Sequence, residues 1–433
     1  MSASITAYPG TGSIVHEHRL RNGLRVLIVE RHLDPVVAVT LWYGVGARDE
    51  REQEAGVSHF LEHMMFKGSK AFGKGEVDRL TASLGGSNNA YTSYDHTAYW
   101  FEFASDRWEQ ALDLEVDRMR GLLLDADEFD AERAVVLEEL GMGEDDPWRN
   151  LSREVGQVLF GRHPYGRPII GYRDTLAAMD PASMRDYHQR FYHPGNATLL
   201  ICGDVNPKAA LKAARARFGA LESRDVAPVN NGWRPPIVHP EGPRRLTVRW
   251  DDPASRMLMA WPGAKVGSDD DFALDLVSSL LTGGRLSRLH RKLVLEQGLA
   301  TYVSASNDAR VEGGAFWLFA EAAQGVDPSK LEEALRAELT RLSTELVPAV
   351  EMKRVRLTLE SSEAYEAETV SDLGDHIGQY AVDQDWRLVL EFDERRRAIT
   401  AKRVREAAAR IMDPERCVVG WSLPRADAQE PQA

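Results

Sequence analysis

The segment His59-Phe60-Leu61-Glu62-His63 constrains this chain more than any other. It lies in Gly56-Val57-Ser58-His59-Phe60-Leu61-Glu62-His63-Met64-Met65-Phe66, which has no Pro and, after Gly56, no Gly. Its apolar residues recur at helical spacing, so a helix is expected there. On a helix, residues three and four apart share a face. Both imidazoles and one carboxylate then point the same way. Two neutral imidazoles are good zinc ligands. A carboxylate beside them, free of the metal, can take a proton from an attacking water. A lone His on an apolar face is usually a packed core residue, but the order H-x-x-E-H is that of an inverted zincin. Such a site needs a third ligand from elsewhere in the fold, with the fourth position left to water.

A source for that ligand lies downstream, in Asp130-Ala131-Glu132-Arg133-Ala134-Val135-Val136-Leu137-Glu138-Glu139-Leu140. This also reads as a helix, with Asp130 as its N-cap. Glu132 and Glu139 are two turns apart on one stripe, so both are candidates. Glu138 points about a quarter turn away and reads as a solvated glutamate. Solvation is the plain alternative for the other two as well.

At 433 residues the chain is too long for one ordinary domain and long enough for two cores. Its 43% hydrophobic and 28% charged residues are ordinary for a globular protein. No apolar run approaches the roughly 20 residues that span a bilayer. The start, Met1-Ser2-Ala3-Ser4-Ile5-Thr6-Ala7, shows no basic region followed by an apolar stretch. A cytoplasmic location is therefore expected, or a periplasmic one if a signal peptide has been removed. Cys202 and Cys417 sit in apolar strand-like runs and read as packed thiols. The net charge of −14 argues against nucleic acid as a partner. It suits solubility first, and steering of basic peptides second.

Two related halves are expected: residues 1–224, a linker at 225–242 rich in Pro, Asn and Gly, and residues 243–433. Leu258-Met259-Ala260-Trp261-Pro262-Gly263 echoes Val39-Thr40-Leu41-Trp42-Tyr43-Gly44. A helix from Asp271 to Leu281 follows the first of these, as Ser58 to Phe66 follows the second. Late in each half a Pro, an apolar strand and a Gly recur, at Pro194 to Gly203 and Pro414 to Gly420. The second helix holds no His, so only the first half can build the metal site. Strand runs at Arg25 to Val29, Val36 to Trp42 and Ala98 to Phe103 mix with helical stretches at Trp108 to Leu124, Lys330 to Leu346 and Glu351 to Ser362. This mixture predicts α+β domains, each a mainly antiparallel sheet packed with helices. The polar tail from Arg425 to Ala433 is expected to fray.

These features resemble the insulysin/pitrilysin family of zinc peptidases, the inverzincins, and within it the short subunits typified by processing peptidases. The resemblance rests on Asn22-Gly23-Leu24-Arg25-Val26, on Trp42-Tyr43-Gly44-Val45-Gly46-Ala47-Arg48-Asp49-Glu50, and on His59 to His63 with Phe66-Lys67-Gly68-Ser69. Leu84-Gly85-Gly86-Ser87-Asn88-Asn89-Ala90-Tyr91-Thr92, His163-Pro164-Tyr165-Gly166, Gly171 and Gly203-Asp204 extend it. It implies two homologous domains facing each other across a cleft. It implies that His59, His63 and Glu139 bind one zinc ion per chain, that Glu62 is the general base, and that Glu132 is the supporting acid. It implies peptide or unfolded substrates that pair as an added strand with an exposed edge at Asn89, Ala90, Tyr91 and Thr92. Read from the residues alone, Asn88 and Asn89 after Gly85-Gly86-Ser87 suit a turn as well.

The chain departs from the family at one place. Catalytic members are completed by an Arg and a Tyr from a second half, and the family pattern puts them where Val294 and Thr301 stand here. Tyr302 is one residue late, which on a regular strand means the opposite face. Arg291 is nearly a helical turn early. The departure suggests the metal-bearing subunit of a heteromer, whose homologous partner lacks the metal motif and carries the Arg and Tyr. The alternatives are that Tyr302 and Arg291 act in place, or that the chain is a non-catalytic core-type subunit of the same fold.

Overall fold

A computed structural model describes residues 3–223 and 234–425. The first half of the expected linker and the tail beyond Arg425 therefore lie outside the described residues. The strands, in chain order, are β1 (Ala3–Ala7), β2 (Ile14–Arg19), β3 (Arg25–Glu30), β4 (Val36–Tyr43), β5 (Ser87–Thr92) and β6 (Thr97–Ala104). They continue as β7 (Ala197–Gly203), β8 (Arg244–Trp250), β9 (Arg256–Pro262), β10 (Ala300–Asp308), β11 (Ala315–Ala322) and β12 (Val418–Pro424). One sheet has the order β1-β2-β3-β7-β4-β6-β5 and the other β10-β11-β9-β12-β8. All neighbours are antiparallel except β3 with β7 and β8 with β12. Placing β8, β9, β10, β11 and β12 on β3, β4, β5, β6 and β7 reproduces order and direction throughout. The internal echo read from two strands per half thus extends to five.

The inner strands read as near-continuous apolar runs because both of their faces are covered. All seven residues of β7 and of β9 are buried. The chain forms two compact units, and neither is a single stretch of sequence. One comprises Met1–Gly141, Arg167–Arg234 and Ala364–Leu390. The other comprises Met142–Gly166, Pro235–Glu363 and Glu391–Ala433. In the first unit, the helix Val370–Asp383 packs on β4 and β7. Its Gly378 lies so close to Trp42 that a Cβ there would come within 2.3 Å of the indole nitrogen. In the second unit, the helix Pro147–Phe160 packs on β9 and β12.

Two helices of the first unit carry the motif residues. The metal helix, Val57–Met64, buries Val57, Phe60, Leu61 and Met64 and leaves His59, Glu62 and His63 on its half-exposed face. The acid helix spans Ala126–Glu144, so it begins before the expected N-cap Asp130. Asp125 caps it instead, accepting from Asp127 N and Glu128 N at 3.0 and 3.2 Å. Neither Pro nor Gly stands between Ala126 and Leu140 to stop it earlier. The helix expected at Trp108 to Leu124 closes sooner, at Gly121. Asn88 and Asn89 belong to β5, not a turn, and β5 is the edge of its sheet. Cys202 and Cys417 are both buried free thiols.

Candidate metal centre

The metal helix starts abruptly at Gly56, whose φ of 95° is left-handed and whose Cβ position would lie 2.5 Å from Ile170 O. The helix has no cap of its own. The buried carboxylate of Glu50 serves instead, accepting from Gly56 N at 2.9 Å and Ser58 N at 2.8 Å. The Ser58 hydroxyl lies 2.8 Å from that of Tyr187, which ties the first turn to the core. Phe60 packs against Phe129 of the acid helix, with ring centroids 4.6 Å apart. One residue of the motif thus docks the two helices whose polar faces must meet.

Where they meet, Glu139 reaches both histidines. His59 Nε2 is 3.6 Å from Glu139 Oε1, and His63 Nε2 is 3.5 Å from Glu139 Oε2. These three residues form the one group of three or more potential metal ligands among the described residues, with ligand atoms within 4.8 Å of one another. Glu132 does something else. Its Oε1 sits 2.9 Å from His63 Nδ1, and its Oε2 takes an ion pair from Lys67 Nζ at 2.5 Å. With Nε2 turned to Glu139, His63 donates its other N–H to Glu132, the bond that fixes tautomer and ring angle in metal-binding histidines. Glu62 lies beside the group, and Thr92 Oγ1 donates to its Oε2 at 2.6 Å. Glu138 is exposed.

The electrostatics separate these groups. Burial, together with His63, pushes His59 down to about 4, so its imidazole is neutral near pH 7. Burial raises the Glu62 carboxyl against the pull of the Thr92 bond. Burial also acts on Glu132, but the bonds from Lys67 and His63 outweigh it and hold that carboxyl below its usual value.

The donor set suits zinc. Ligands at about 2.0–2.2 Å around a tetrahedral ion stand roughly 3.3–3.6 Å apart. Each Glu139 oxygen stands at about that distance from one imidazole, Oε1 at 3.6 Å from His59 Nε2 and Oε2 at 3.5 Å from His63 Nε2, and the three ligand atoms lie within 4.8 Å of one another. Glu139 keeps 42% of its side chain exposed, so the centre opens to solvent on its side.

Asn89 projects to solvent from β5, while Ala90 and Tyr91 are half-buried. The Tyr91 hydroxyl donates to Asp375 at 3.2 Å, and its ring meets Trp42 edge-on at 6.0 Å. In the second unit, Val294 is half-buried in a π-helical turn, His290–Glu296. Arg291 pairs with Glu296 at 3.4 Å. The one-residue lag of Tyr302 does not have the consequence expected on a regular strand. Ala300 pairs with Ala322 and Tyr302 with Glu321, so Thr301 is an extra, bulged residue. Alternation breaks there, and Thr301 and Tyr302 are both exposed, Tyr302 by 49%.

Sequence reasoning gave Glu50 and Lys67 no role and took Thr92 only as part of the substrate edge, not as the partner of Glu62. All three lie inside the motifs named above, but periodicity assigns no role to a residue past a helix end or at a strand end. Nothing local points to Glu50, because its partners are backbone atoms.

Residues 25–173 match the family model Insulinase (Peptidase family M16), and residues 178–359 match the Peptidase M16 inactive domain. The chain belongs to peptidase family M16. It is 28% identical over 383 residues to the zinc protease PqqE of Helicobacter pylori, covering 84% of this chain and 83% of that one. It is 32% identical over 316 residues to an uncharacterized zinc protease of Mycobacterium leprae, covering 71% of this chain and 68% of that protein. The crystal structure of a protease from Helicobacter pylori superposes with a TM-score of 0.89 at 25% identity, over 94% of this chain and 99% of that one.

Proposed function

We propose that this chain is a zinc-dependent endopeptidase. His59, His63 and Glu139 hold one zinc ion, Glu62 is the general base and Glu132 orients His63. The observation that carries the reading is the convergence of two imidazoles and one carboxylate beside a second, separately held carboxylate. Zinc bound there supplies Lewis acidity toward a scissile carbonyl and an attacking water. Thr92 engages one oxygen of Glu62 and so leaves the other to accept the proton of that water. Glu62 then returns the proton to the leaving amine. The hydrogen bond from His63 to Glu132, steadied by Lys67, keeps the imidazole in the tautomer that presents Nε2.

The substrate is an extended peptide or unfolded segment that pairs with β5. As an edge strand, β5 offers Asn89, Ala90 and Tyr91 for backbone bonding. Tyr91 is already engaged through its side chain, so it contributes main chain only, and selectivity from this edge is low.

The Arg and Tyr of the family pattern are absent from positions 294 and 301, which supports a heteromer with a homologous partner lacking the metal motif. A self-sufficient chain is the second reading. The bulge favours it, because it leaves Tyr302 on the exposed side. A non-catalytic core-type subunit would have no use for Glu62 beside the three ligands. Cleavage of a mixed library of quenched peptides by the zinc-loaded chain, with Glu62→Gln as control, separates these. Activity of the chain alone that vanishes in the control supports the peptidase and removes the need for a partner. Activity only when a homologous partner is added supports the heteromer. Activity unchanged by Glu62→Gln would overturn the assignment of the base. In a self-sufficient enzyme, Tyr302→Phe should lower kcat by about 10²–10³-fold. An unchanged kcat excludes Tyr302 from the chemistry.

A further inference from the structure

Leu124 is the one non-glycine residue with a left-handed φ among the described residues, at 50°, and it is buried. A leucine resists this conformation because its Cβ crowds the following carbonyl. Strain of this kind persists only where the surroundings over-determine it, and it gathers at functional sites. Leu124 ends the turn between the helix Glu109–Gly121 and the acid helix.

That turn is fastened from two directions. On one side it is laced to the loop leaving the metal helix. Leu123 N donates to Gly68 O at 3.2 Å, Lys70 N donates to Gly121 O at 3.0 Å, and Ser69 bridges Leu122. Ala71 N donates to Asp117 at 2.7 Å in the same seam. On the other side stands Arg185, whose Nη1 donates to Leu122 O at 3.0 Å and whose Nη2 donates to Leu123 O. Behind Arg185 lies a cavity of about 260 Å³, bordered by Met119, Leu122, Arg185, His188 and Tyr192 among others. On that face the turn leans on a guanidinium fork beside open space.

We propose that Arg185 is a positioning residue: by clamping the strained Leu122–Leu124 turn it sets the direction of the acid helix and thereby places Glu139 against His59 and His63. The inference rests on the zinc site proposed above. The lever is long. Thirteen residues separate Ala126 from Glu139, about 20 Å at 1.5 Å per residue. A tilt of about 5° at the turn would carry Glu139 by roughly 1.7 Å, against a tolerance of about 0.2 Å for metal–ligand distances. Buried Phe129, Val136 and Leu140 hold the helix down on the core. They fix its depth, and the clamped turn fixes where it starts. A lysine cannot replace the fork, since it offers a point charge rather than two parallel donors.

The test is a double-mutant cycle on zinc affinity, measured by competition with a chromogenic chelator, in wild type, Arg185→Gln, Glu139→Gln and the double variant. Arg185→Gln should weaken zinc binding about 10-fold, the scale of outer-shell effects. In the Glu139→Gln background it should weaken binding no further. Equal weakening in both backgrounds, or none in either, overturns the inference. Should Arg185→Gln fail to fold by circular dichroism, the cycle is read with Arg185→Lys, which keeps the charge and loses the fork. If Glu139→Gln alone leaves zinc affinity unchanged, the three-ligand site itself fails, and the inference with it.

Discussion

Glu62 and Glu132 both lie beside the same imidazoles, yet their surroundings push the two carboxyls in opposite directions. Burial raises Glu62, whereas Lys67 and His63 overcome burial to lower Glu132. That divergence is what distinct roles require. In the proposed site Glu132 is the carboxylate that orients His63. Glu62, the base in the proposed mechanism, is held by burial on the raised side of its usual value. Glu62→Gln should keep zinc while kcat falls by at least about 10²-fold, which metal analysis and peptide assays read together. Lys67→Met should weaken zinc binding by about 10–100-fold, because Glu132 loses the partner that keeps it ionised and in place. An unchanged dissociation constant would remove Lys67 from the site. Helical spacing sufficed to set His59, Glu62 and His63 on one face. It could not separate Glu132 from Glu139, which share a stripe. The resemblance gives them different roles, and the distances differ too: Glu139 faces both Nε2 atoms and Glu132 faces one Nδ1.

Elements with strong local signals were legible, and those set by distant partners were not. The strands β3, β4 and β6 were read within a residue or two of their ends, since apolar runs of that length leave little choice. The acid helix was read short because Asp130 looks like a cap, while Asp125 does the capping. The bulge at Thr301 carries no signal in the sequence, because it is defined by register against β11. Glu332, in the helix Pro328–Thr344, illustrates a linkage no local pattern reveals. Burial works to raise its carboxyl, but Arg245 grips both oxygens at 2.7 and 2.6 Å and Trp421 and Arg336 add bonds, which brings it to about 2. A carboxyl depressed in the folded state stabilises above its unfolded pKa, and that contribution is lost as pH falls through the folded one. Here the window runs from about 4.5 down to about 2. Melting temperatures across that window should fall less steeply for Glu332→Gln than for wild type. Parallel curves would show that the pair contributes nothing to acid sensitivity.

At the scale of the molecule, the two units interleave in sequence. The first unit covers its sheet with Ala364–Leu390 from the far half of the chain. That segment brings Asp383 to buried His96 at 2.8 Å and the carbonyls of Ala367 and Glu368 to Arg31. A fragment of residues 1–242 would leave Trp42 uncovered and these polar groups without partners, each a destabilising loss. Such a fragment should melt well below the full chain, and adding residues 243–433 should restore it. A fragment as stable as the whole would contradict this account. The doubled architecture was legible from two echoing strands per half. The interleaving was not, because the helix Val370–Asp383 carries no mark of the sheet it covers. The central claim concerns the metal, and zinc content tests it most directly. Wild type and Glu62→Gln should each hold one zinc ion per chain, and His59→Ala should hold none. Zinc retained in full by His59→Ala, or lost from Glu62→Gln, would contradict the account.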